Sequence, residues 1–73
     1  MPEDIKAPLT GTVWKIETKP GDSLDEDDVI MILESMKMEI PIEAPYDGEL
    51  LEIKVSEGDA IQEGQVLAVM EED

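Results

Sequence analysis

Glu34-Ser35-Met36-Lys37-Met38-Glu39 lies near the middle of the 73-residue chain, between two short apolar segments at 29–33 and 40–42. Two short apolar segments joined by a few polar residues predict a β-hairpin, here with its tip at Met36 and Lys37. Turns usually contain Gly, Asn, Asp or Pro, and this tip contains none of them. A requirement other than turn formation therefore selects these residues.

The sequence repeats itself on either side of this stretch at an offset of 37 residues. Residues 5–34 align with 42–71 without a gap, and ten of the thirty pairs are identical. The identical pairs are Ile5/Ile42, Ala7/Ala44, Pro8/Pro45, Gly11/Gly48, Ile16/Ile53, Gly21/Gly58, Asp22/Asp59, Glu26/Glu63, Val29/Val66 and Glu34/Glu71. Such a repeat indicates two copies of one structural unit. Lys37 lies between the copies and has no counterpart in either.

Each copy is predicted to consist of short strands separated by turns. Apolar and polar side chains alternate in residues 14–18 and again in 51–55, which predicts strands with one buried face. Those buried faces would include Trp14 and Leu51. Short strands with turn signals every eight to twelve residues predict an all-β sandwich or barrel. Two like halves would pack face to face with approximate two-fold symmetry.

The composition restricts both the size and the partners of the protein. The length allows one domain. Twenty acidic residues against five lysines give a net charge of −15, which opposes binding to nucleic acid and to anionic membrane surfaces. The chain has no cysteine or histidine and no apolar segment long enough to span a membrane. The N-terminal sequence lacks the features of a signal peptide, so a cytoplasmic location is expected.

In its repeat and its central motif, the chain resembles the biotinyl/lipoyl carrier domains over about residues 5–71. It is most similar to the biotin carboxyl carrier modules of biotin-dependent carboxylases and to small stand-alone biotin/lipoyl attachment proteins. The family motif is typically Ala-Met-Lys-Met, and Ser35 replaces the alanine here. The resemblance implies a flattened barrel, or barrel-sandwich hybrid, of two four-stranded antiparallel sheets. Residues 1–73 would then form one carrier domain whose attachment hairpin is 34–39.

The same resemblance assigns roles to residues of the hairpin. Lys37 would be the acceptor to which a biotin protein ligase attaches biotin, and the remaining hairpin residues would contribute to recognition. Met36 and Met38 are the flanking recognition residues, and Glu34, Ser35 and Glu39 are further candidates for contact with the ligase or a partner. Gly11, Gly21, Gly48 and Gly58 match the turn glycines of the family.

The resemblance also implies what such a chain does. It would be a monomeric carrier and not an enzyme, with no catalytic residue and no metal site. Its tethered biotin would move carboxyl groups between a biotin carboxylase and a carboxyltransferase. Some biotin carriers have an extra "thumb" loop in the first half; because residues 18–28 align with 55–65 without a gap, none is expected here.

Several alternatives remain open from the sequence. The same lysine could carry lipoate, or could accept both biotin and lipoate, although lipoyl domains usually show Asp-Lys at the tip and this chain shows Met-Lys. The fold could also serve as an unmodified interaction module, in which Lys37 is only a solvated charge that discourages edge association. A more distant alternative is an acyl-carrier-like helical bundle with Ser23 as the attachment site. The aligned residue Ala60 and the alternating pattern oppose it.

Overall fold

The computed structural model describes residues 1–73 and contains eight β-strands and no helix. The strands are β1 (Pro2–Lys6), β2 (Gly11–Ile16), β3 (Ser23–Leu24), β4 (Val29–Ser35), β5 (Met38–Glu43), β6 (Gly48–Ile53), β7 (Ala60–Ile61) and β8 (Val66–Glu72). No helix long and apolar enough to cross a membrane is present. Strands β6, β7 and β8 have the bounds of β2, β3 and β4 shifted by 37 residues. The sequence repeat is therefore a structural repeat.

The strands form two four-stranded antiparallel sheets with the orders β1-β8-β6-β3 and β5-β4-β2-β7. Each sheet contains strands from both copies, so neither copy forms a sheet of its own. Replacing every strand by its equivalent in the other copy converts one sheet order into the other. The predicted sandwich of two four-stranded sheets with pseudo-two-fold symmetry is confirmed.

Backbone hydrogen bonds between the copies obey the same symmetry. The Gly21 N–H donates to the Leu50 carbonyl at 2.8 Å, and the equivalent Gly58 N–H donates to the Val13 carbonyl at 2.8 Å. Both glycines have a positive φ, 96° and 91°, a backbone conformation that residues other than glycine rarely adopt. The turns of each copy are thus bonded to a strand of the other, and the two copies cannot separate without breaking these bonds.

The core lies between the inner faces of the two sheets and contains no buried polar or charged residue. Fifteen buried apolar residues form one cluster: Ile5, Ala7, Val13, Leu24, Ile30, Met31, Leu33, Ile42, Ala44, Leu50, Val55, Ile61, Leu67, Ala68 and Met70. The body is elongated, with extents of 34 × 17 × 17 Å. A small apolar core of this kind leaves the charged residues entirely outside it.

Two residues predicted to be buried lie outside the core. Trp14 is 48% exposed, whereas Val13 beside it is 1% exposed. The register of β2 against β4 shifts between Val13 and Lys15, so Trp14 is the extra residue of a β-bulge and the alternation of faces breaks there. Leu51 occupies the equivalent bulge between Leu50 and Glu52. The prediction for these two side chains was wrong because a bulge depends on the partner strand, which local periodicity does not report.

Candidate attachment site

The central stretch forms a two-residue hairpin turn between β4 and β5. Ser35 pairs with Met38, and the two residues between them, Met36 and Lys37, have φ values of 53° and 65°. Positive φ at both central positions defines a type I′ turn, for which Asn-Gly is the preferred sequence. A side chain in this conformation costs about 1–2 kcal/mol per residue. The hairpin tip predicted from the sequence is present, and its residues are unfavourable for the turn that they form.

The side chains at the tip are open to solvent. Met36 is 88% exposed and Met38 is 58% exposed, and Lys37 is also exposed. Exposed methionines on both sides of the lysine contribute nothing to the core. Large apolar side chains held in solvent next to one another mark contact surfaces.

Lys37 makes no contact that would hold its ammonium group against the body. The structure contains two ion pairs, Lys15 with Glu17 at 3.8 Å and Lys54 with Glu52 at 2.7 Å. The hydrogen bonds and Coulomb attraction of Glu52 raise the pKa of Lys54, and Asp4 raises it further. Lys37 is in neither pair. Its amine is therefore free to react without first breaking a bond to the protein.

The remaining predicted site residues flank the tip. Glu34 and Glu39 lie opposite each other on β4 and β5, and both are exposed. Ser35 is partly buried at the base of the turn. The structure thus places all six residues of the predicted hairpin within one continuous element, with the lysine at its end.

The base of the hairpin is packed tightly against the start of β2. A Cβ atom built on Gly11 would lie 2.5 Å from the carbonyl oxygen of Glu34, which is shorter than any real contact of this kind. Glycine is needed here for the close approach of two backbones rather than for a special dihedral angle. This contact fixes the end of β4 and hence the direction in which the tip points.

A second surface feature is separate from the hairpin. A groove of about 400 Å³ lies between the edge strands β1 and β5. All eight lining residues are repeat equivalents, namely Asp4/Pro41, Ile5/Ile42, Lys6/Glu43 and Pro8/Pro45. The groove therefore straddles the pseudo-two-fold axis and includes none of the predicted site residues. No group of three or more Asp, Glu, His or Cys side chains is arranged to hold a metal ion.

Ser23 does not lie in the setting that an acyl carrier requires. It is in the two-residue strand β3, where it pairs with Glu49 of β6. That alternative needs a serine at the start of a helix, and the structure has no helix. The acyl-carrier alternative is therefore wrong.

A lysine at the exposed tip of a hairpin, on a body made of two like halves, is the arrangement that the resemblance to carrier domains implies. The family model described as "Biotin-requiring enzyme" (Biotin_lipoyl) matches residues 3–70. The chain belongs to this biotin/lipoyl domain family, as the resemblance predicted. The match includes the first copy of the repeat, the hairpin, and all but the last residue of the second copy.

Individual proteins show the same relationship. The chain is 45% identical over 42 residues to the biotinylated protein TB7.3 of Mycobacterium tuberculosis, a match that covers 58% of this chain and 59% of that protein. Its structure is similar to Kluyveromyces lactis urea carboxylase, with a TM-score of 0.90 and 30% identity over 96% of this chain but 6% of that one. The lipoyl domain of the Azotobacter vinelandii 2-oxoglutarate dehydrogenase complex gives a TM-score of 0.81 and 35% identity, and the match covers 94% of this chain and 95% of that domain.

The share of each relative that is matched differs widely. The curated relatives match this chain over less than two thirds of their own length, and in the carboxylases the match is a small part of a much longer chain. The similarity therefore identifies a carrier domain and does not by itself assign the reaction of any whole protein.

Proposed function

We propose that this protein is a biotin carrier in which the Nζ atom of Lys37 is the attachment point. The observation that carries the proposal is the tip itself: an unpaired, exposed lysine between two exposed methionines in a turn that those residues disfavour. The family and the biotinylated relative support biotin as the group attached. Met36 and Met38 are then the apolar surface by which a biotin protein ligase recognises the tip.

The amine and the ligase have separate tasks in the attachment reaction. An amine is acylated only when it is neutral, and an ordinary lysine is almost wholly protonated at pH 7. No side chain of this protein bonds to the Lys37 amine, so the ligase supplies both the base and the activated acyl group. An amide bond forms between Nζ and the carboxyl carbon of biotin, while the leaving group departs from that carbon and the amine proton passes to the base.

The attached biotin would supply a ring nitrogen that can be carboxylated. The chain's own contribution is to hold the tether at the end of a rigid hairpin, so that the ring moves between two active sites without dissociating. Tethering by a short linker gives effective concentrations in the millimolar range. A biotin carboxylase and a carboxyltransferase are the proposed partners, which is supported by the similarity to urea carboxylase.

The protein is proposed to be a substrate and shuttle rather than a catalyst, and to act as a monomer in the cytoplasm. The absence of histidine and cysteine supports a non-catalytic role, since these residues supply most general bases and nucleophiles. The lack of cysteine also suits a reducing compartment. A net charge of −15 opposes self-association.

Lipoate on Lys37 is the second candidate. It is supported by the similarity to a lipoyl domain along almost the whole of both chains. The residue before the lysine opposes it, because Met36 stands where lipoyl domains usually have aspartate. The two candidates share the fold and the acceptor and differ only in the acyl group.

The test is the intact mass of the protein purified from its native cells, followed by peptide mapping. A biotinyl increment on the peptide that contains Lys37 is expected. A lipoyl increment on that peptide would replace the proposed cofactor, and an unmodified mass or a group on another side chain would overturn the assignment of Lys37.

A further inference from the structure

The outer face of the hairpin-bearing sheet carries a row of side chains that contribute nothing to the core. Lys15 on β2 pairs with Ile32 on β4, and Ile32 pairs with Pro41 on β5. The bulge residue Trp14 lies beside this row and is 48% exposed. Neither Trp14 nor Ile32 is among the residues that pack on the core cluster. We call these four residues the Trp14 face.

The other sheet shows what the same positions look like away from the hairpin. Its equivalent row is Glu52, Val69 and Asp4, and its bulge residue is Leu51. Two acidic residues thus replace the Lys15 and Pro41 of the Trp14 face. In a chain with 20 acidic residues, the four residues of the Trp14 face include no acid and hold the only tryptophan, and Glu17 lies beside the face in an ion pair with Lys15. Because the two sheets share one backbone plan, the fold does not account for this difference.

The next row on this outer face lies between the Trp14 face and the tip. It contains Thr12, Glu34 and Glu39, all exposed. A partner that covers both rows would meet two carboxylates near the lysine and an aromatic side chain one row further from it. Basic groups beside an apolar pocket complement this arrangement.

Of the proteins that would handle Lys37, the ligase must approach the body most closely. An unmodified lysine reaches only roughly 6 Å from its Cα atom, given its four-carbon stem and ordinary bond lengths. The enzymes that act on an attached ring meet it at the end of a longer arm. A specific interface also typically involves about 20–30 residues on each side, whereas the hairpin stretch 34–39 supplies six. The ligase interface must therefore extend beyond the hairpin.

On this basis we propose that the Trp14 face is the docking surface for the biotin protein ligase, with Trp14 as its apolar anchor. The inference rests on the proposed function of Lys37. Tryptophan is enriched among residues that dominate binding energy at interfaces. Trp14 would enter an apolar pocket of the ligase, and basic residues of the ligase would lie against Glu34 and Glu39.

The first test compares Trp14→Ala with Leu51→Ala, its repeat equivalent on the other sheet. Purified unmodified proteins are biotinylated by a bacterial biotin protein ligase, and thermal melting confirms that each variant is folded. Trp14→Ala is expected to lower kcat/KM by about tenfold or more, through a higher KM with kcat little changed. Leu51→Ala is expected to stay within about twofold of wild type. Equal rates for Trp14→Ala and wild type, or equal losses in both variants, would overturn the proposal.

A second test does not depend on turnover. The chain has one tryptophan, so labelling with 5-fluorotryptophan gives a single ¹⁹F NMR signal. In the Lys37→Arg variant, which cannot be acylated, this signal is expected to shift or broaden when ligase is added. An unchanged signal at a ligase concentration that saturates binding would overturn the docking surface. Biotinylation of wild-type Lys37 in the first test would leave the proposed function intact in that case, whereas no biotinylation of wild type would overturn both.

Discussion

Glu34 and Glu39 lie directly opposite each other on the two strands of the hairpin, and both side chains are exposed. Like charges at directly opposed positions of antiparallel strands destabilise the pair. The hairpin therefore carries two features that oppose its own stability, namely this pair and the positive φ of the tip. Both lie within three residues of Lys37.

Replacing one of these glutamates should stabilise the protein and weaken recognition. Glu39→Lys creates an opposite-charge pair with Glu34 and should raise the free energy of unfolding by about 0.5 kcal/mol, measured by urea denaturation. We expect biotinylation by the ligase to slow in the same variant. Glu49→Lys is the control, since Glu49 faces Glu71 in the other sheet; it should gain similar stability without slower modification. Equal slowing in both variants would indicate a general charge effect.

Lys37→Arg should remove the modification without changing the fold. Arginine keeps the positive charge but does not deprotonate in proteins, so no amide bond can form. The intact mass after incubation with ligase should be that of the unmodified chain, with the circular dichroism spectrum of wild type. Lys54→Arg, at an exposed lysine directly after β6 of the other sheet, should be modified as wild type is. Biotin found on the Lys37→Arg protein would refute the assignment.

Met36→Asn should separate the effect of this residue on the stability of the turn from its effect on recognition by the ligase. Asparagine tolerates positive φ better than methionine, so this change should raise the free energy of unfolding by about 0.5–1 kcal/mol. Removing the exposed apolar side chain should lower the rate of biotinylation at an intact Lys37. Met36→Leu keeps an apolar residue without the preference for positive φ, and it should keep more of the rate and gain no stability. A Met36→Asn protein that is modified as fast as wild type would show that Met36 is not recognised.

Gly11→Ala tests the contact at the base of the hairpin. The added Cβ atom would collide with the carbonyl oxygen of Glu34, and overpacking of this kind costs about 1–3 kcal/mol. Gly48→Ala makes the equivalent collision with the Glu71 carbonyl, far from the hairpin in the repeat. Both variants should melt at lower temperature, but only Gly11→Ala should slow biotinylation under conditions where both are folded. Equal rates would mean that the tip does not depend on this contact.

Tyr46→Phe should stabilise the fold at neutral pH. The hydroxyl oxygen of Tyr46 is buried, and no partner meets hydrogen-bond geometry with it. Removing an unsatisfied buried hydroxyl should raise the free energy of unfolding by about 1 kcal/mol, measured by urea denaturation at pH 7. A loss of stability would show that the hydroxyl has a partner in solution.

The same residue predicts a dependence on alkaline pH. Burial raises the pKa of Tyr46, and the carboxylates of Glu3 and Glu72 raise it further. The unfolded chain therefore loses this proton first, near pH 10, so ionisation of this group leaves the free energy of unfolding unchanged below that pH and lowers it as pH rises through the folded-state pKa. The pKa of Lys54 is also raised, by Glu52, so its deprotonation lowers the free energy of unfolding in the same pH direction. This effect is the same in wild type and in Tyr46→Phe. Wild type should lose stability above about pH 10 more steeply than Tyr46→Phe, and parallel curves would contradict this.

Much of the fold can be predicted from the sequence because the same pattern of strands and turns occurs twice in the chain. The gapless alignment of 5–34 with 42–71 anticipates strands whose bounds differ by 37 residues. The position of Lys37 at a tip follows from the apolar segments that flank it. These features depend on local pattern and on comparison of the two copies, both of which can be read from one sequence.

What could not be predicted depends on pairing between distant strands. The bulges that keep Trp14 and Leu51 out of the core cluster arise from the register of β2 with β4 and of β6 with β8. The collision that requires glycine at position 11 involves a carbonyl group 23 positions away in the chain. The positive φ of Asp27, 75°, could have been suspected only because its equivalent in the second copy is Gly64.

The pairing of the two chain ends has a further consequence for engineering. Pro2 pairs with Glu71 in the same relation that Glu39 has to Glu34, so Met1 and Asp73 occupy the places of Met38 and Met36. A single lysine joining Asp73 to Met1 would complete a second loop in a circular molecule. Such a circular protein would present two lysines at opposite ends of one body. Biotinylation of the second lysine by the ligase would show whether the loop made from the two chain ends is recognised as a target.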